Sequence, residues 1–308
     1  MKKTTAKDLT TGNPTRLILG FFFPLVLGLL FQQFYSMVDT MIVGKTLGVN
    51  ALAGVGSTGS VNFLVLGFCI GVCTGFAIPV AQKFGEKDEQ GLRRYVGNMI
   101  WICVAFSVVL TVATVALCRN ILIWTNTPDE VFREAYDYIV IIFLGIPVTI
   151  LYNTLSGIIR SLGDARTPLY FLVFSSLLNV ALDLLFILVL RWGVAGAAGA
   201  TVTAQFISTV ACFAYAFSKY PDLRLHKEDW HITGLDLKRH IVQGVPLGLQ
   251  FSVLAIGIIV MQSVVVKFDM IDGQMVSHAA QNGFGAANKL NSLIMTPVNG
   301  LGAAMTSF

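Results

Sequence analysis

Eight apolar stretches run along the chain, at 17–43, 51–80, 95–117, 136–159, 168–190, 194–217, 241–266 and 279–307, separated by short polar breaks. A bilayer core about 30 Å thick needs about 20 apolar residues per helix, so each stretch is long enough to cross it. The pattern predicts an all-α integral membrane protein of about eight transmembrane helices. Its longest polar interruption is 219–240, with Pro221, several acids and bases, and His226, His231 and His240. With no cysteine nearby, these histidines read as solvated side chains of a linker rather than metal ligands.

After this linker the pattern begins again. Phe23-Pro24-Leu25 lies early in the first stretch and Val245-Pro246-Leu247 at a similar depth in the seventh. The second stretch runs from Ala51-Leu52-Ala53-Gly54 through Gly71 and Gly75, and the eighth runs comparably from Ala279-Ala280 through Gly300 and Gly302. The expected organisation is a six-helix N-terminal lobe over 1–218, a cytoplasmic linker over 219–240 and a partial C-terminal lobe over 241–308. The incomplete repeat further implies that the natural protein is longer than this chain.

Composition agrees with the pattern: of 308 residues, 55% are apolar and only 12% charged, against about a quarter charged in soluble domains. The net charge of +4 matters less than its placement, and no nucleic-acid partner follows from it. With the N-terminus in the cytoplasm, fifteen basic residues fall on the inner side: Lys2, Lys3, Lys7, Arg16, Lys83, Lys87, Arg93, Arg94, Arg160, Arg166, Lys219, Arg224, Lys227, Lys238 and Arg239. Five fall outside, Lys45, Arg119, Arg133, Arg191 and Lys267, leaving Lys289 within a span. The positive-inside rule thus predicts a multi-pass protein of the cell membrane with a cytoplasmic N-terminus. The first stretch is too long for a signal-peptide core and reads as a retained span. The five cysteines, nearly all inside apolar stretches, read as packing residues.

Gly67, Gly71 and Gly75, and likewise Gly196, Ala200, Ala204 and Ser208, recur every fourth residue and predict close helix packing. Pro24 and Pro246 each remove a backbone donor from a span, which permits either a hinge or a fixed bend. Candidate chemistry lies elsewhere. Of seventeen acidic residues, only Asp39 and Asp183 sit well inside spans. A carboxylate at the bilayer centre costs about 2.5–3.5 kcal/mol on insertion scales, so each needs a partner or a water-filled cavity. Asn179 lies one turn from Asp183 and Tyr35 one turn from Asp39, placing each pair on one helix face. Gln32, Asn153, Thr201 and Gln205 are further polar residues inside spans. Asp39, Asp183 and Thr201 lie at a common depth, about 6–12 Å below the outer surface at 1.5 Å per residue, whereas Asn153 falls in the inner half. Two buried carboxyls near each other are expected to exchange protons near physiological pH.

Several segments together resemble one family, the multidrug and toxic compound extrusion transporters, and within it the DNA-damage-inducible (DinF-like) branch. They are the Pro24 to Asp39 span ending in Val38-Asp39-Thr40, Val80-Ala81-Gln82-Lys83-Phe84-Gly85, Arg160-Ser161-Leu162-Gly163-Asp164-Ala165-Arg166-Thr167-Pro168, Asn179-x-x-x-Asp183 and Gly196-Ala197-Ala198-Gly199-Ala200-Thr201. The resemblance implies twelve helices in two six-helix lobes and export of drug-like or other amphiphilic organic compounds in exchange for H⁺ or Na⁺. It implies a coupling site at Asp39, Asn153, Asn179, Asp183 and Thr201, with Gln32 and Tyr35 lining the same cavity. Gln205 is a further polar residue expected there, and Pro24 the expected hinge. A glutamate that other branches carry on helix seven has no counterpart, since no acid lies between His240 and Phe268 and Leu254 occupies that region. The protein is accordingly expected to be no enzyme, to use no cofactor beyond its coupling ion, to hold no metal other than Na⁺ at Asp39 and Asp183, and to need no obligate protein partner. Its expected partners are an amphiphilic small molecule and the lipid bilayer.

A lipid-linked oligosaccharide flippase of the same broader fold is the alternative, but it calls for several Arg or Lys residues in the central cavity, where only Lys289 qualifies. A membrane prenyltransferase would need two acid-rich Mg²⁺ motifs, more than two intramembrane acids provide. A receptor or structural protein accounts poorly for the six-helix repeat.

Overall fold

A computed structural model of the chain describes residues 13–125, 127–223, 225–271, 274–275 and 279–307. Lys2, Lys3, Lys7 and Arg224 lie outside the described residues, as does the side chain of Lys289. The described chain is almost wholly helical. Its helices are α1 (Pro14–Leu47), α2 (Val49–Ser57), α3 (Gly59–Gly85), α4 (Glu89–Trp124), α5 (Phe132–Leu144), α6 (Ile146–Ser161), α7 (Arg166–Asp183), α8 (Gly193–Lys219), α9 (Gly234–Val266) and α10 (Ala279–Ser307). A two-residue antiparallel pairing of Met270–Ile271 with Gln274–Met275 sits between the last two.

Among the described residues, six helices are long and apolar enough to cross a membrane: α1, α3, α4, α7 with its extension to Val189, α8 and α9. The bent pair α5 and α6, meeting at 45°, makes a seventh if it is one span. Helix α10 covers the eighth predicted stretch but carries Gln281, Asn282, Asn288, Lys289 and Asn291 in its first half, which lowers its hydropathy.

Continuous apolar stretches conceal two breaks. The second stretch divides at Thr58 into α2 and α3, and the fourth bends at Gly145, where Pro147 opens α6. Gly145 packs so closely on α8 that an added Cβ would lie 2.5 Å from Val202. The fifth stretch leaves α-helical register after Asp183 and continues as a π-helical turn over Leu184–Val189.

Helix α3 occupies the middle of the bundle. Cys69, Val72, Cys73, Phe76 and Val80 on α3 meet Tyr95, Met99 and Cys103 on α4, Ile150 and Ile158 on α6 and Cys212 on α8 in one buried cluster. All five cysteines are buried and free. On its other side α3 meets α9 backbone to backbone: a Cβ on Gly75 would lie 2.5 Å from the Gly244 Cα, and one on Gly71 2.7 Å from the Leu247 carbonyl oxygen. Helices α1 and α10 also pack closely, Gly300 against the Val26 side chain and Ala304 buried with Phe21. Both contacts lie toward the end of the bundle where α3 finishes and α9 starts, which also carries Lys83, Lys87, Arg93, Arg94, Arg166, Lys219, Lys238 and Arg239 and is called the basic end below. Toward the other end, Phe34, Met37 and Met41 of α1 and Ile256, Val260 and Met261 of α9 are exposed.

The polar segment before α9 is not a free loop. His226 and His231 are exposed as expected, but Asp229, Asp236 and His240 are buried, because the first turns of α9 dock onto α3 and α4. At the α6–α7 turn, Gly163 adopts φ +85°, which a residue with a Cβ enters at a cost. Asp164 follows and accepts hydrogen bonds from the backbone N–H groups of Arg166 (2.9 Å) and Thr167 (3.0 Å), from the Thr167 hydroxyl (2.6 Å), from Lys219 Nζ (3.0 Å) and from the Tyr220 hydroxyl. Burial alone would raise the Asp164 pKa, but the bonds from Thr167, Tyr220 and Lys219 outweigh it and hold the carboxyl well below the usual carboxylate range. A depressed folded value means that this stabilisation is complete above the ordinary value of about 3.9 and is lost as pH falls through the folded value. Asp164→Asn is therefore expected to lower the thermal unfolding midpoint at neutral pH, at a cost of about 1.5–3 kcal/mol for charge-assisted bonds, and to have little effect once the wild type is acidified below that range.

Candidate functional site

Four helices bring the intramembrane polar residues together. Helix α1 supplies Tyr35 and Asp39 from one face, α7 supplies Asn179 and Asp183, α8 supplies Thr201, and α5 adds Tyr138. Asp183 is 0% and Asn179 2% exposed, while Asp39 and Thr201 are half-buried. The Asp39 and Asp183 carboxyls come within hydrogen-bonding reach of each other. Ionised carboxylates only accept hydrogen bonds, so this contact requires a proton on one of them or a cation between them. One oxygen of each, Oδ1 in both residues, is buried without a hydrogen-bond partner. Among the described residues no Lys, Arg or His forms an ion pair with either acid.

Asn179 joins the acids to α8. Its side-chain nitrogen, placed to satisfy both ends of the amide, donates to Asp183 Oδ2 at 3.3 Å while its oxygen accepts from the Thr201 N–H and hydroxyl at 3.2 Å each. The Thr201 hydroxyl is also 3.2 Å from the Ala197 carbonyl, so Asn179 and Ala197 compete for its single proton. Tyr35 and Tyr138 stand close enough to both carboxyls to feel their charge. The sequence reading did not single out Tyr138. It lies near the start of an apolar stretch, where a tyrosine ordinarily reads as an interfacial or packing residue, and only the docking of α5 brings it to the acids.

Other sequence candidates make hydrogen bonds of their own. Asn153 donates to the Thr149 carbonyl of its own helix at 2.8 Å, and the Thr149 hydroxyl donates to Gln205 Oε1 at 3.0 Å. Asn153 and Gln205 thus belong to a second polar stretch between α6 and α8. Gln32 is exposed on α1. Pro24 lies within a continuous helix between two anchored regions, Phe21 against Ala304 and Gly28 against Leu169 and Leu172. It leaves the Gly20 carbonyl without its helical donor. Among the described residues no group of three or more His, Cys, Asp or Glu is placed to hold a metal ion. The oxygen set of Asp39, Asp183, Asn179 and Thr201 suits a hard cation or a proton instead.

A carboxyl pair inside a polytopic helical bundle marks a functional site within the membrane. The MatE family model matches residues 24–185. The chain belongs to that family, the multidrug and toxic compound extrusion transporters. It is 31% identical over 304 residues to the probable multidrug resistance protein YpnP of Bacillus subtilis, covering 98% of this chain and 66% of that protein. It is 30% identical over 295 residues to YoeA, another probable multidrug resistance protein of the same organism, covering 94% and 62%. The chain thus spans about two thirds of the length of the curated relatives it matches. A solved structure of a MOP superfamily transporter from Pyrococcus furiosus shares the fold, with a TM-score of 0.89 at 24% identity, covering 100% of this chain and 66% of that one.

Proposed function

We propose that this chain is the cation-handling part of an antiporter that exports drug-like or other amphiphilic organic compounds across the cell membrane in exchange for H⁺ or Na⁺. The observation that carries the reading is the facing pair of half-buried Asp39 and fully buried Asp183, in an apolar bundle without a basic partner among the described residues. Such a pair is neutralised by a proton or by a small cation, and either one is exchangeable. Asn179 and Thr201 complete the oxygen cage, and Tyr35 and Tyr138 flank it. Asn153, Gln205 and Gln32 line the route of the organic substrate. With the basic end placed in the cytoplasm by the positive-inside rule, the contacts α3–α9 and α1–α10 close the inner side. Pro24 lies in the α1 segment held by α10 and α7, and neutralising Asp39 in the same helix changes the bend at the Gly20 carbonyl. Among the described residues the polar site holds carboxyls and no ion-paired base, which disfavours the flippase reading.

Reconstituted protein is expected to drive accumulation of a cationic dye when a pH or sodium gradient is imposed, and not when neither is present. Movement that ignores both gradients would overturn antiport. Thr201→Val, which keeps the shape but removes the hydroxyl, is expected to weaken the apparent affinity for the coupling ion about 5- to 150-fold while leaving dye binding intact. The check is the ion concentration at half-maximal flux.

A further inference from the structure

At the basic end, the segment from His226 to His240 is strapped across α4. Arg93 pairs with Asp229 at 3.5 Å and Arg94 with Asp236 at 2.9 Å, and both acids are buried. Asn98, itself 1% exposed, donates from Nδ2 to the His231 carbonyl at 3.3 Å and accepts on Oδ1 from the Thr233 N–H at 3.2 Å. That is the hydrogen-bond pattern of one added strand residue, made by a side chain. Close by, Gly97 permits backbone contact: a Cβ there would lie 2.5 Å from the Asp229 carbonyl oxygen. Trp230 packs edge-on against Trp101, with ring centroids 6.1 Å apart. Arg239 reaches the Tyr95 hydroxyl.

Beyond the strap, His240 is fully buried between α3 and α4. Its Nδ1 lies 2.8 Å from the Phe76 carbonyl oxygen and so carries the proton, while its ring packs against Phe76 and Tyr95. Nε2 has no hydrogen-bond partner. One turn further along α9 begins the glycine contact of Gly244 with Gly75. The strap, the histidine and the glycine seam therefore act in series on one helix.

We propose that the clasp of Asn98, Arg94 and Asp236, together with His240, is the gate at the basic end of the transporter: it holds α9 against α3 in this conformation and releases when that end opens. The inference rests on the transport reading above, since only a protein that alternates between two openings needs a releasable contact here. Its chemistry suits that role. A seam of glycines and Phe76 alone would bury backbone on backbone with nothing to favour reopening. The polar clasp leaves His240 Nε2 short of a partner when closed, and water satisfies it when open, which brings the two states nearer in energy. Arg94 is half-exposed, which lets solvent reach the pair first.

The test uses spin labels at Gln82 on α3 and Lys238 on α9, both exposed, in the full protein in lipid nanodiscs; the native cysteines are buried. The wild type is expected to show mainly a short inter-label distance. Asn98→Ala and Asp236→Asn are each expected to raise the long-distance fraction about fivefold or more. The exchanged pair Arg94→Asp with Asp236→Arg is expected to restore the short distance, which a general loss of folding would not do. Unchanged distance distributions in both single variants would overturn the gate, as would a shift that the exchanged pair fails to reverse. The readout needs no substrate, so absence of coupled flux in the wild type would sink the transport reading while leaving the distance result to stand or fall alone.

Discussion

Asp183→Asn is expected to abolish gradient-driven efflux while leaving the protein folded and able to bind dye. Asparagine has the shape of the neutral acid but can neither release a proton nor balance a cation, so it fixes the pair in its neutralised state. Asp183 is wholly buried, held by Asn179 on one side and facing Asp39 on the other. Coupling between linked sites is typically about 1–3 kcal/mol, or about 5- to 150-fold, and all of it is expected to be lost. Asp39→Asn should behave alike, and the double variant should be no worse than either single one, because two residues acting as one site do not add. Dye efflux from loaded proteoliposomes measures all three. Additive losses would mean two independent sites.

Gly75→Ala should carry the second large effect, although it adds a single carbon. The new Cβ would lie 2.5 Å from the Gly244 Cα and 2.6 Å from the Gln243 carbonyl oxygen, both backbone atoms that cannot rotate away. Helix α9 must therefore shift off α3, and overpacking of this kind costs about 1–3 kcal/mol. Gly67→Ala on the same stripe is the control, since its nearest neighbour, Phe251 Cβ, would be 3.5 Å away, an ordinary contact. Thermal unfolding in detergent is expected to separate the two variants clearly. Equal midpoints would show that α3 and α9 do not meet as closely as described.

Much of this was legible in the chain because lipid leaves so few options. Asp39 and Asp183 stand out against their apolar stretches, and the one-turn spacing to Tyr35 and Asn179 already put each pair on one face. Hydropathy says nothing of what an apolar helix touches, so Tyr138 stayed hidden until α5 docked. The breaks at Thr58 and Gly145 were hidden for a related reason: a bend that keeps its apolar residues does not interrupt the pattern. The segment before α9 misled in the opposite direction. A run of charges reads as solvated, yet Asp229 and Asp236 are buried because Arg93 and Arg94, more than a hundred residues earlier, supply their counter-charges. Asn153 matched the family pattern, while its depth set it apart, and the structure places it with Thr149 and Gln205.

The account depends most on Asp39 and Asp183 serving as one exchangeable ion site. The direct measurement is counter-ion movement in proteoliposomes driven only by a substrate gradient, following lumenal pH and radioactive sodium together. The wild type should move one of the two ions against the substrate, and Asp39→Asn and Asp183→Asn should each move neither. Undiminished ion movement in either variant would contradict the assignment.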